Sequence, residues 1–209
     1  MSLIHRFKIA TLGVCIFLLS ACSSMVPTQN TFANGAESTP LTTAQDGSQR
    51  YLRAPIAPQT EMHLTEVNLQ LAADNTTVMS DEERSELVGE LRQQLISQLG
   101  KHYKWVDTPS ASAVRVRATI TEVRTSNVFG NVVATVLLFD PVDKGGATVE
   151  LEASSPKGER LAALSVAAQG KLFQFRGAYS RLGQAKLALS SHATSFAAML
   201  QGATVPTTN

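Results

Sequence analysis

The sequence predicts an α+β fold: a two-layer sandwich in which a mostly antiparallel, mixed sheet carries two main helices on one face. Three observations predict it. Several stretches alternate apolar and polar residues with a period of two, so each strand has one face to bury and one to solvate. Two longer stretches repeat apolar residues at helical spacing, and two amphipathic helices are enough to cover one face of such a sheet. A short turn at Ser155-Pro156-Lys157-Gly158 joins two of the alternating stretches into an antiparallel hairpin.

The elements follow in chain order. Val67, Leu69 and Leu71 alternate with polar residues and predict a first strand near 61–72. Ser80 precedes Glu83 at capping-box spacing, and Asp81, Glu82 and Glu83 suit the positive end of a helix dipole. Leu87, Val88, Leu91, Leu95 and Leu99 then recur at helical spacing, with Gly100 to close the helix. Lys104 to Asp107 reads as a short strand stopped near Pro109. Val114, Val116, Ala118 and Ile120 alternate with Arg115, Arg117, Thr119 and Thr121. Ala147, Val149, Leu151 and Ala153 repeat the pattern against Thr148, Glu150 and Glu152, and Leu164, Val166 and Ala168 bring the chain back. A last helix spans about 181–201, with Leu182, Ala185, Leu189, Ala193, Phe196 and Leu200 as its stripe and Gly202 as its stop. The sheet face away from the helices is expected to be solvated and to carry Arg115, Arg117, Glu150 and Glu152. Where those strands are neighbours, cross-strand ion pairs follow, each worth about 0.2–1 kcal/mol.

The organisation is one domain over 51–202, preceded by a signal, a lipidated N-terminus and a tether, and followed by a disordered tail at 203–209. His5, Arg6 and Lys8 lead into an 11-residue apolar run from Ile9 to Leu19. That run is shorter than the about 20 residues a spanning helix needs and fits a secretory h-region. Leu19-Ser20-Ala21-Cys22 follows and resembles the lipobox of bacterial lipoproteins. The resemblance implies that residues 1–21 are a signal peptide cut before Cys22. It also implies that Cys22 carries a thioether-linked diacylglycerol and an acylated amine, because two or more chains anchor a protein stably. The resemblance further implies that Ser23, in place of the aspartate that retains Gram-negative lipoproteins at the inner membrane, marks the protein for the outer membrane. The domain is then expected in the periplasm.

Residues 22–50 are rich in Ser, Thr, Gln, Asn, Gly and Ala and poor in large apolar side chains, so they read as a flexible tether. Loss of Arg6 and Lys8 with the signal leaves 16 basic and 17 acidic residues, a formal charge of −1. That is no footprint for nucleic acid. Cys15 leaves with the signal and Cys22 holds the lipid, so no disulfide staples the domain and its core must hold it together.

Beyond the lipobox, several pieces together resemble one bacterial lipoprotein family, domain of unknown function 3313. They are Leu99 to Asp107, Val114 to Val123, the strand after Gly145-Gly146, the turn Lys157-Gly158-Glu159-Arg160, and Gly183 to Leu189. The resemblance spans roughly residues 51–200. It implies a lipoprotein and brings no activity or site with it. One departure is Ser154-Ser155, where the family pattern sets an Asp near the start of a longer polar turn.

No nucleophile elbow, zincin helix, phosphate loop or dinucleotide fingerprint occurs in the sequence. Ser154 to Lys157 has Ser-x-x-Lys spacing, but Pro156 places it in a turn rather than on a helix start. His63, His102 and His192 fall on three separate elements without an i,i+4 partner, and are read as partly exposed side chains, not metal ligands. Glu82, Glu83, Glu86 and Glu90 follow capping and surface logic. Asn75-Thr76-Thr77 reads as a turn. Val132 to Phe139 is a continuous apolar run, read first as core and second as a contact surface. Phe173, Phe175 and Tyr179 crowd a Gly-bounded loop with Arg176, read first as a loop tucked over the core and second as a contact surface, since aromatic residues and Arg favour interfaces.

The expectation is therefore a non-catalytic envelope lipoprotein with no cofactor and no metal, held to the membrane by Cys22 and binding an envelope protein partner. A ligand- or lipid-binding module with a pocket between sheet and helices is the alternative. An enzyme of unidentified type is the third, and it requires a histidine beside a carboxylate or serine.

Overall fold

Alternation along the chain decides which side of each strand is buried, and in the computed structural model it does so across a seven-stranded sheet. The structure describes residues 40–71, 75, 77–125, 145–169 and 180–203. In chain order these form β1 (Thr42–Thr43), β2 (Gln49–Leu52), β3 (Glu61–Leu69), α1 (Asp81–Leu99), β4 (Lys104–Trp105), β5 (Val114–Arg124), β6 (Gly146–Ser154), β7 (Arg160–Gln169) and α2 (Gly183–Leu200). The sheet order is β1-β2-β7-β6-β5-β3-β4. β3 runs parallel to both β4 and β5, and the remaining pairs are antiparallel. The α+β class, the mixed open sheet and the helices packed against it agree with the sequence reading.

α1 starts where the capping box sets it. The Ser80 side chain accepts from Glu83 N–H at 3.3 Å, and the Glu83 carboxylate accepts from Ser80 N–H at 2.9 Å. Replacing Ser80 by Ala leaves an amide at the helix start unpaired, and is expected to lower stability by about 1 kcal/mol in denaturant unfolding. α1 buries a stripe of Leu87, Leu91, Leu95 and Leu99. At its end Gly100 stays in the right-handed region at φ −62°, so close approach rather than backbone conformation calls for glycine: a Cβ there would stand 2.8 Å from Ile96 O. Leu99 O accepts from both His102 and Tyr103 N–H. α2 is more enclosed, with ten of its 18 residues buried, among them Ala185, Ala188, Ala193 and Ala197. These small side chains allow the elements packed on it to approach its backbone closely. Gly202 ends α2 at φ +71°, and a Cβ there would stand 2.8 Å from Pro55 Cγ. Both a left-handed backbone and a close approach thus require that glycine.

The helices pack on each other and on one sheet face, α1 over β3 and α2 over β6 and β7. Beneath them lie Met62, Leu64, Val116, Ala118, Ile120, Val149, Leu151, Ala162 and Leu164, all buried. Arg181 and Lys186 of the α2 segment pair with Glu83 and Glu86 of α1, so those carboxylates join the two helices along their solvent edge.

The domain begins earlier than the predicted boundary at residue 51. β1 and β2 lie inside the segment read as tether, and β2 pairs with β7 from Gln49↔Ser165 to Leu52↔Ala162. Composition missed this because a polar network, not apolar burial, organises the turn. Asp46 Oδ1 accepts from Ser48 N–H at 3.0 Å and from Ser48 Oγ at 2.6 Å, and Asp46 pairs with Arg50. Burial raises the Asp46 carboxyl, but the Ser48 hydroxyl, the Ser48 amide and Arg50 outweigh it and hold it below its usual range.

Candidate functional site

The residues singled out for anchoring and contact, Cys22, Ser23, Phe173, Phe175 and Tyr179, lie outside the described residues, as does Val132 to Phe139. The described chain places its chemistry elsewhere, on the sheet face away from the helices.

Strand register builds that face. Asn68, Thr119, Glu150, Ser165 and Gln49 stand in one row across β3, β5, β6, β7 and β2. Glu66, Arg117, Glu152, Ala163 and Tyr51 form the next row. Where solvated residues are expected, the centre of this face is buried: Glu150 is 2% exposed, Thr148 2%, Thr119 8% and Ser165 0%. This corrects the solvated-face reading for Glu150. The signal was present in residue size, because β7 turns Ala163, Ser165 and Ala167 outward and β5 and β6 turn out Thr119 and Thr148. Short hydroxyl and methyl side chains leave a face that can be covered, unlike a run of Lys and Glu.

The buried carboxylate is not left without a partner; Glu150 and Gln49 are both engaged. Beside them, Glu122 Oε2 accepts from Thr148 Oγ1 at 3.1 Å and Glu122 Oε1 from Arg124 Nε at 2.9 Å. Among the described residues the Ser165 hydroxyl is buried without a hydrogen-bond partner. The cross-strand pairing differs in one respect from expectation. Arg117 stands opposite Glu152, yet Glu152 takes Arg160 Nε at 3.0 Å. Arg160 has a side chain only 7% exposed and gains more from a desolvated partner than exposed Arg117 does.

The three histidines do not converge. His63 Nδ1 lies 3.1 Å from Val106 O, His102 is exposed in a T-shaped contact with the Tyr103 ring, and His192 Nε2 lies 3.1 Å from Ala147 O. His192 is buried, not partly exposed, because it sits on the face of α2 that packs against β6. Desolvation pushes it down to about 4, with the Ala147 hydrogen bond opposing. The unfolded chain, titrating near 6.5, therefore binds a proton that the folded chain refuses between about pH 6.5 and 4. Stability is expected to fall on acidification through that window, by on the order of 3 kcal/mol. Denaturant midpoints at pH 7.5 and 4.5 check this, and His192→Gln should flatten the slope.

Other sequence features resolve as structure. Ser155 to Gly158 is the hairpin turn, with Gly158 at φ +88° and its N–H donated to Ser155 O. Asn75 Oδ1 accepts from Thr77 N–H at 2.9 Å, an Asx turn. Among the described residues no group of three or more His, Cys, Asp or Glu could hold a metal ion. Among them, too, no helix is long and apolar enough to cross a membrane. The space between sheet and helices is occupied by the apolar cluster centred on Leu91, Leu95, Ile120, Leu151, Leu189 and Phe196.

A family model described as "Protein of unknown function (DUF3313)" matches residues 39–196. No curated protein matches the sequence. Among solved structures, the chain is similar to a PelC dodecamer from Paraburkholderia phytofirmans at 9% identity and a TM-score of 0.41. That match covers 70% of this chain and 96% of that one. It is also similar to protein XCC0632 from Xanthomonas campestris, of family-model DUF330, at 10% identity and a TM-score of 0.37, covering 72% and 90%.

Proposed function

The chain belongs to the DUF3313 family of proteins of unknown function, and on that premise we propose that it is a non-catalytic envelope lipoprotein whose domain binds a protein partner. The observation that carries the reading is the N-terminal sequence: a basic start, an 11-residue apolar run and Leu19-Ser20-Ala21-Cys22. In this reading Cys22 holds the lipid, Ser23 directs sorting to the outer membrane, and the domain from residue 40 onward works in the periplasm. Two further observations support a binding role. The contacts of the described histidines are with backbone carbonyls or an aromatic ring rather than with a serine or carboxylate. The sheet–helix interface is filled with apolar side chains, which weighs against the ligand pocket of the alternative reading.

The test is an in-cell cross-linking pull-down run on wild type and Cys22→Ala in parallel. Recovery of one envelope protein with wild type alone is the expected result. Recovery of none from either, together with a small molecule bound to the purified chain, would replace this reading with the ligand-binding one.

A further inference from the structure

We propose that the open edge of β3 is a self-association site, where a second copy of this chain adds its own β3 in antiparallel register about Asn68. This goes beyond the lipoprotein reading and does not depend on it.

The observation is a nine-residue strand that, among the described residues, is covered on one side and mostly unpaired on the other. β5 pairs with β3 from Met62 to Leu69, whereas β4 pairs with Glu61 and Met62 alone. Past Met62, no strand among the described residues lies on that side. A bulge between Leu64 and Glu66 sets which groups face outward. Before it, Met62 O accepts from Val106 N–H on the β4 side; after it, Gln70 donates its N–H to Ile120 O on the β5 side. With the two-residue period of a strand, Asn68 and Gln70 turn their backbone groups to β5, and Val67 and Leu69 turn theirs to the bare edge. Unpaired donors and acceptors along a strand are a template for another strand. Thr65, Glu66 and Gln70 are exposed and Val67, Asn68 and Leu69 half-buried, so this edge meets solvent.

The sequence of the edge favours itself as the occupant. In an antiparallel pair about Asn68, Val67 and Leu69 of one copy face Leu69 and Val67 of the other, in the positions that exchange both hydrogen bonds. Their side chains point to the helix face, because Val67 pairs with Ala118 and Leu69 with Ile120, and there the two copies extend one apolar layer. On the other face Asn68 meets Asn68 across the dyad and Glu66 meets Gln70, so no like charges stand opposite each other. A register centred on Glu66 would instead set two carboxylates together. The result is an isologous two-fold contact, the commonest symmetry of soluble oligomers, and it continues the seven-stranded sheet into the second copy.

The experiment places one cysteine at the dyad of the full chain. Asn68 and its copy form a non-hydrogen-bonded pair with Cα atoms about 4.5 Å apart, within disulfide range. Two copies of Gln70 would stand about 14 Å apart, out of range. Asn68→Cys is expected to run as a covalent dimer on a non-reducing gel and Gln70→Cys as a monomer. Any pairing through Cys22 appears equally in both and is subtracted. Light scattering of the unsubstituted chain in detergent is independent of the substitutions and is expected to read two chains of at most 22.4 kDa each. A monomeric mass, equal dimer from both cysteine variants, or disulfide capture of a different protein at Asn68→Cys would each overturn the proposal.

Discussion

Phe196→Ala is expected to destabilise the domain more than any other single truncation of α2. Phe196 heads the largest fully buried side chains and sits in the cluster that joins α2 to the sheet. Removing a buried phenyl group costs the transfer of its apolar surface and leaves a cavity, about 3–5 kcal/mol together. A domain of this kind has about 5–15 kcal/mol in total, and no disulfide constrains its unfolded state. The melting temperature should therefore drop by roughly 10 °C. Val78→Ala serves as the comparison, since Val78 is 81% exposed and an exposed truncation stays within about 0.5 kcal/mol. Equal shifts for the two variants would contradict the packing described here.

The second large effect is one of location. Cys22→Ala removes the thiol that the lipidation reading requires, while leaving the described domain untouched. Wild type is expected almost wholly in the membrane fraction, and Cys22→Ala either in the soluble periplasmic fraction or retained as an uncut precursor. A single acyl chain holds a protein marginally, whereas two or more hold it stably, so the shift should be close to complete. If the two proteins fractionate alike, the anchor is not at Cys22.

How far the sequence spoke depended on which force shaped each part. Where apolar burial decided the structure, the pattern was legible. The leucine stripe of α1, the alternation of β5 and β6 and the apolar stripe of α2 are all buried as their spacing required. The parallel placement of β3 beside β5 was not readable, because a crossover carries no local mark in either strand. Nor was the start of the domain, where the Asp46, Ser48 and Arg50 network holds a turn that composition reads as tether. The polar sheet face was misjudged for a related reason. Alternation says which residues leave the core side, but not whether the outer side stays wet. Only the small size of Ala163, Ser165 and Thr148 hinted that Glu150 would be buried. His192 was misplaced similarly: its position on α2 falls within a broad buried face that Ala188, Ala193 and Ala197 make possible.

Mass spectrometry of the N-terminal peptide of the protein purified from its own membranes tests the central claim most directly. The mature chain is expected to begin at Cys22, with a diacylglyceryl thioether and an acylated amine on that residue. A chain beginning at any other residue, or at an unmodified Cys22, would contradict it.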